Sequence, residues 1–152
     1  MPRHRTILLM AMQNSLATTD NLCKRGYQLA SRCTLCYQAQ ESKHHLFFAC
    51  NYSTQVLQAI FTWQHIHRRP LSLNHEVRRL AMKSGKHWRK KLAKCALAVM
   101  VYYIWSERNT RIFQDICRSP YQLIYAIQNV IRIRLLALLD NVTSEEVISS
   151  LE

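Results

Sequence analysis

Cys33-Thr34-Leu35-Cys36-Tyr37-Gln38-Ala39-Gln40-Glu41-Ser42-Lys43-His44-His45-Leu46-Phe47-Phe48-Ala49-Cys50 is the stretch that decides how the chain folds, because it gathers four side chains able to share one chemical task. A Cys-x2-Cys turn aims two sulfurs at one point. A His followed by another Cys after four intervening residues can close the tetrahedron that a structural zinc ion prefers. Cys33, Cys36, His45 and Cys50 are therefore read as a Cys3His zinc knuckle, with His44 as the alternative third ligand. His45 is preferred because Ser42 can cap a short helix that turns His45 back toward the Cys-x2-Cys turn, with Leu46, Phe47 and Phe48 packing beneath the metal.

Other uses of the same cysteines fit less well. A redox Cys-x2-Cys needs a strand-turn-helix setting within a βαβ unit, and no such pattern surrounds Cys33. A disulfide framework needs secretion, and the segment after Met1 reads Pro-Arg-His-Arg without a small-residue cleavage site. Free cysteines are also common as buried apolar residues, which is the reading for Cys23.

Only two glycines and three prolines in 152 residues, with nearly half of the residues hydrophobic, argue for helices joined by short connections. The expected fold is mostly α, a small zinc knuckle of short hairpin plus helix joined to a helical bundle. Twenty-one Lys and Arg against nine Asp and Glu leave a net charge of +12, which points first to a polyanion such as nucleic acid. The longest unbroken apolar run, Cys95 to Trp105, has eleven residues, so no membrane span and no membrane partner are expected.

Outward from the knuckle, periodicity predicts a helix over Thr6–Leu16 after a solvated Arg3 to Arg5 prefix. A short second helix follows, capped by Thr18-Thr19-Asp20 and ended by Gly26. Tyr27 to Arg32 and Tyr37 to Glu41 are read as the arms of a hairpin. Ser53 is read as the cap of a helix reaching about His65, with Val56, Leu57, Ile60, Phe61 and Trp63 as its apolar side, and His65 and His67 as surface histidines.

The charge then concentrates. Arg68, Arg69, Arg78, Arg79, Lys83, Lys86, Arg89, Lys90, Lys91 and Lys94 are accompanied by one acid, Glu76, and are read either as a solvated face or as contacts to a phosphate backbone. Trp88 is the candidate to stack on an unpaired base, or else an anchor for its helix. A short helix is expected over Asn74–Lys83. A long one follows from Arg89 through Asn109, with a Glu107–Arg111 pair four residues apart. Ser119-Pro120-Tyr121-Gln122 is a capping box that starts the last long helix, running to about Leu139 and packing on the Leu92 to Trp105 segment. Thr143-x-x-Glu146 offers a further start in the tail. The regions are 1–66 with the knuckle, 67–94 with the basic block and 95–152 with the C-terminal helices, or one continuous domain.

Taken together, Leu16-Ala17-Thr18-Thr19-Asp20-Asn21-Leu22, the Cys-x2-Cys turn, His45-Leu46-Phe47-Phe48-x-Cys50 and Trp105-x-Glu107-Arg108-Asn109-x-Arg111-Ile112-Phe113 resemble the zinc-binding domain downstream of the reverse transcriptase in plant non-LTR (LINE-type) retrotransposons. The resemblance implies zinc on Cys33, Cys36, His45 and Cys50, and RNA or DNA binding of low sequence specificity that assists reverse transcription. It also implies a reverse transcriptase domain as partner and an intracellular, nuclear location. It implies no catalysis, since the Tyr-x-Asp-Asp block of a polymerase is absent and the carboxylates are scattered; the chain reads as a detached accessory domain. A helical protein-interaction module, docking on a polymerase domain or on a second copy, is the reading from another class.

Overall fold

The computed structural model describes residues 2–30, 32–82 and 87–149, the side chains of 87–89 and 140–149 excepted. Among the described residues six α-helices carry the fold: α1 (Pro2–Met12), α2 (Thr19–Lys24), α3 (Asn51–Trp63), α4 (Leu73–Met82), α5 (His87–Gln114) and α6 (Pro120–Ser149). A π-helical turn, His45–Ala49, precedes α3. The long helix α5 is the central member: α1, α4 and α6 pack on it, while α3 lies against α6 and the π-turn. Burial follows the sequence periodicity. Ala96, Val99, Met100 and Ile104 of α5 meet Leu123, Ile127 and Ile131 of α6, and the same contiguous core takes in Leu46, Phe47, Val56, Leu57 and Ile60. The metal stretch and the C-terminal helices thus share one hydrophobic interior.

Several expectations are corrected. The first helix begins earlier and stops at Met12, because Asn14 takes a left-handed backbone (φ 55°) that asparagine tolerates and a helix cannot continue through; Leu16 is buried beyond it. Among the described residues of Tyr27 to Glu41 there are no hairpin strands; Arg32 and Gln40 make one isolated antiparallel bridge. Ser53 is not a cap: Cys50 stands at the cap of α3, and Ser53 is buried in its first turn with its hydroxyl unpartnered. Cys23 is exposed rather than packed. Asn109 neither ends nor interrupts α5, which continues to Gln114 and stops where Asp115 turns left-handed (φ 53°). The backbone of α6 runs straight through the expected second start at Thr143.

The capping box at Ser119 forms in both directions, with the Ser119 amide donating to Gln122 Oε1 at 2.9 Å and the Gln122 amide to Ser119 Oγ at 3.3 Å. Within α6, Pro120–Leu139 is long and apolar enough to cross a membrane by length and composition, with a mean hydropathy of 1.3. A count of unbroken apolar residues misses it because Gln128, Asn129 and Arg132 interrupt the run. In this fold its inner side chains Leu123, Ile127, Ile131 and Leu138 are buried.

A buried carboxylate ties distant segments together. Glu41, 1% exposed, accepts Arg108 Nη2 at 2.7 Å and Nε at 3.1 Å, and its Oε1 also accepts the amide (2.9 Å) and hydroxyl (3.0 Å) of Thr19. Glu41 therefore caps α2 from outside. Thr18, the expected cap, donates its hydroxyl to Asp20 instead. Asn21 completes the arrangement by donating to the carbonyls of Asn14 and Leu16, both at 2.9 Å.

With every oxygen of Glu41 engaged, breaking the pair leaves a buried charge without compensation. Arg108→Met is expected to lower unfolding free energy by about 3–5 kcal/mol in urea denaturation at saturating zinc. Glu41→Gln with Arg108→Met should cost less than the two single changes summed; strict additivity would mean that the pair is not coupled.

Candidate metal centre

The Cys-x2-Cys turn is shaped by its backbone. The Tyr37 amide donates to the Cys33 carbonyl at 2.8 Å, with Tyr37 left-handed (φ 56°), and the Cys33 amide donates to the Ala39 carbonyl at 2.8 Å. Ser42 then starts the next turn: its Oγ accepts the His45 amide at 3.1 Å and its carbonyl accepts the Leu46 amide at 2.8 Å. The following residues wind as a π-turn, closed by the Cys50 amide donating to the His45 carbonyl at 2.7 Å. That five-residue hydrogen bond folds Cys50 beside His45, which an α-helical turn would splay apart. A local π distortion at a functional cluster is a recurrent device.

Cys33 Sγ, Cys36 Sγ, His45 Nε2 and Cys50 Sγ consequently lie within 4.8 Å of one another, Cys36 to His45 at 3.3 Å and Cys33 to Cys50 at 3.9 Å. Donors on one tetrahedral zinc stand about 3.6–3.8 Å apart, given bonds of about 2.0–2.3 Å, so the cluster needs only small adjustments to hold the ion. His44 is exposed and stacks on Phe48, with ring centroids 6.3 Å apart. Leu46 and Phe47 lie fully buried below.

A cation bound here would displace the proton that Cys33 shares with Cys50. Cys33 donates its thiol to Cys50, and this bond together with burial holds Cys33 far above its usual range. The same bond lowers Cys50, aided by the Ser53 and Tyr52 amides at the start of α3, where backbone N–H groups favour a thiolate. Cys33 likewise receives amides of Cys36 and Leu35. Burial lowers His45 below its ordinary value against the pull of Glu41, so its imidazole is neutral and able to ligate at neutral pH. Four protein donors fill a tetrahedron and leave no position for an activated water, so the centre would be structural.

A second shell arrives from far along the chain. Arg111 Nη1 donates to the Leu35 carbonyl at 3.2 Å, inside the Cys-x2-Cys turn, while Arg111 Nε is held by Glu107 at 2.9 Å. Glu107, fully buried, also accepts the amide and Nε of Arg118, both at 2.8 Å. Tyr52, one of the amides on Cys50, carries Arg111 over its ring at 4.6 Å and donates its hydroxyl to the Arg118 carbonyl at 3.0 Å; burial pushes its phenol up to about 12, keeping it a neutral donor. The Glu107–Arg111 pair was legible as a helical ion pair. Its hold on residue 35 was not, since nothing local marks a contact 76 residues apart.

Among the described residues the cations of the basic block divide between paired and exposed. Arg68 is bound by Glu76 through both oxygens, at 2.8 and 2.6 Å, and lies over Phe61 at 5.3 Å. Arg69, Arg78, Arg79, Lys91 and Lys94 are exposed, and Lys90 is half-buried. Lys83 and Lys86 lie outside the described residues, as do the side chains of Trp88 and Arg89. Two cations outside the basic block, Arg5 of α1 and Arg134 of α6, stand with Lys91 and Lys94 around a cavity of about 540 Å³. Its walls include Leu8, Met12, Val77, Leu80 and Leu97, and among the described residues no acidic side chain lines it.

Comparison with known proteins yields one family, described as zinc-binding in reverse transcriptase, which matches residues 1–56. The matched segment holds all four donors and Glu41, but not Arg108 or Arg111. No curated protein and no solved structure matches the chain. The family and the donor set agree on zinc as the metal.

Protein purified under reducing conditions should carry one zinc per chain by elemental analysis. Cys36→Ser and His45→Ala should lose it and part of the helical signal, while His44→Ala keeps both. Equal loss in the two histidine variants would refute the assignment of His45. Arg111→Met, which removes no ligand, should weaken zinc binding about 10–100-fold in chelator competition; an unchanged affinity would make the Arg111 contact incidental to the metal.

Proposed function

We propose that the chain is a non-catalytic, zinc-stabilised module of a LINE-type retroelement reverse transcriptase that binds RNA or DNA by its phosphates and assists reverse transcription in the nucleus. The observation that carries this reading is the convergence of Arg5, Lys91, Lys94 and Arg134, from three helices, around one cavity that no acidic side chain lines among the described residues. Among the described residues none of the four enters an ion pair, whereas Glu41, Glu76 and Glu107 spend their charge on Arg108, Arg68, Arg111 and Arg118. The buried carboxylates thus neutralise structural arginines and leave these cations for a polyanion. Exposed Arg69, Arg78 and Arg79 extend the positive surface. Such contacts position a backbone without reading its sequence.

A second reading is favoured by a different observation. Phe113, Tyr121, Tyr125, Ile133 and Leu136 are exposed along the end of α5 and the outer side of α6. An apolar strip of this kind suits association with a polymerase domain or a second copy.

Affinity for a short duplex should fall steeply with salt, log–log slope changing by about 0.9 per phosphate contact. Replacing Arg5, Lys91 and Lys94 by Gln should reduce that slope by about 2–3 without lowering the melting temperature. Binding flat from low to moderate salt would sink the nucleic-acid reading. Association that persists in the triple variant but is lost on Tyr125→Glu and Leu136→Glu would favour the protein-interaction reading.

A further inference from the structure

Four non-glycine residues take a left-handed backbone among the described residues: Asn14, Tyr37, His65 and Asp115. Asparagine, histidine and aspartate are enriched in that region, whereas a bulky aromatic residue is an outlier there. Tyr37 (φ 56°) is the exception of the four, and it stands directly after Cys36 on the metal turn. Its amide closes the turn on the Cys33 carbonyl at 2.8 Å, a bond that glycine would supply without the steric cost. The turn therefore gives no reason for the ring. Packing gives none either: Tyr37 is 61% exposed, and its side chain makes no hydrogen bond, ring pair or cation–π contact among the described residues. The side chain that follows is held, with Gln38 Oε1 accepting Asn51 Nδ2 at 2.9 Å. A residue kept in an unfavourable conformation, with its side chain presented to solvent, is a recurrent feature of ligand-binding positions.

The charge on the same loop is positive. Arg32 opposes Gln40 in the isolated bridge, and the Cys33 amide donates to the Ala39 carbonyl at 2.8 Å, so Arg32 and Tyr37 belong to one loop closed at its base. Arg32 is exposed and enters no ion pair among the described residues. Between Asp20 and Glu41 the chain holds Lys24, Arg25 and Arg32 and no acid. Asp20 faces Lys24 at 3.5 Å, and Glu41 is buried against Arg108. A free aromatic face beside a free guanidinium, with no competing carboxylate, fits a polyanion that carries flat rings. Single-stranded nucleic acid is held in this way, its bases on aromatic side chains and its phosphates on cations. We propose that the lip of the metal turn holds one unpaired nucleobase of a single strand, stacked on the Tyr37 ring, with Arg32 on an adjoining phosphate. The proposal rests on the nucleic-acid reading above and adds to it a preference for unpaired bases, at a place that shares no residue with the cation-ringed cavity.

The test uses the zinc-loaded full chain with a short oligothymidylate and a fully abasic strand of the same length and charge, each carrying a terminal dye for anisotropy. The wild type is expected to bind the base-containing strand about tenfold more tightly. Tyr37→Gly should abolish that difference while keeping the affinity for the abasic strand, and Tyr37→Trp should preserve it. Because glycine enters the left-handed region freely, Tyr37→Gly should lower neither the zinc content nor the melting temperature, which separates lost stacking from lost folding. Arg32→Gln should weaken both strands alike. Equal affinity of the wild type for the two strands, or discrimination that survives Tyr37→Gly, would overturn the stacking site alone and leave phosphate binding standing. Failure to bind either strand at low salt would overturn the nucleic-acid reading and the stacking site with it.

Discussion

Burying a carboxylate requires an accounting for its charge, and in this chain that requirement joins the metal stretch to the helical bundle. Glu41 leaves the knuckle region, caps α2 through Thr19 and is met from α5 by both Nε and Nη2 of Arg108. One turn further along α5, Arg111 reaches back to the Leu35 carbonyl while Glu107 holds it in place. A buried ion pair adds little net stability over apolar packing, yet it is costly to break and it tolerates few alternative arrangements. Its consequence here is positional: the Cys-x2-Cys turn and the end of α5 are held in one register.

The segment matched by the zinc-binding family therefore does not contain everything that shapes its metal centre. Residues 1–56 supply the four donors and Glu41, while Arg108, Arg111 and Arg118 come from the α5–α6 region. Zinc and the buried pairs act on opposite sides of the same turn. Metal binding organises the sulfurs, and the arginines organise the carbonyls behind them, in the way second-shell groups commonly orient metal ligands. Local folding of the knuckle and packing of the bundle are energetically linked through one contiguous core.

The division of charge has a functional counterpart. Three of the nine acidic residues lie buried against arginines, which removes Arg68, Arg108, Arg111 and Arg118 from any role toward a polyanion. Among the other cations, Arg5, Lys91, Lys94 and Arg134 border one cavity beside α4 and Arg79 a second, and Leu80 lines both. The run of basic residues in sequence overlaps these cations only in part: Lys91 and Lys94 belong to it, Arg68 in it is paired with Glu76, and Arg5 and Arg134 lie outside it.

The ligand set and the turn that joins its first two members were legible because spacing over a few residues constrains geometry directly, as were the Ser119 capping box and the apolar periodicity of α5 and α6. Ser42 as the cap beneath His45 was also a local matter, decided by a side chain three residues away. The unread features depend on chain segments brought together only by folding. Glu41 and Arg108 are 67 residues apart, and no pattern near either names the other. Ser53 and Cys23 look like a cap and a packing residue, yet the helix is capped at Cys50 after the π-turn, with Ser53 inside its first turn, and Cys23 faces solvent. Sequence alone determined which atoms could hold a metal and which segments would be helical, since both follow from short-range chemistry. Tertiary structure decided which arginines are bound and which stay free, because charge pairing across a core depends on where distant segments meet.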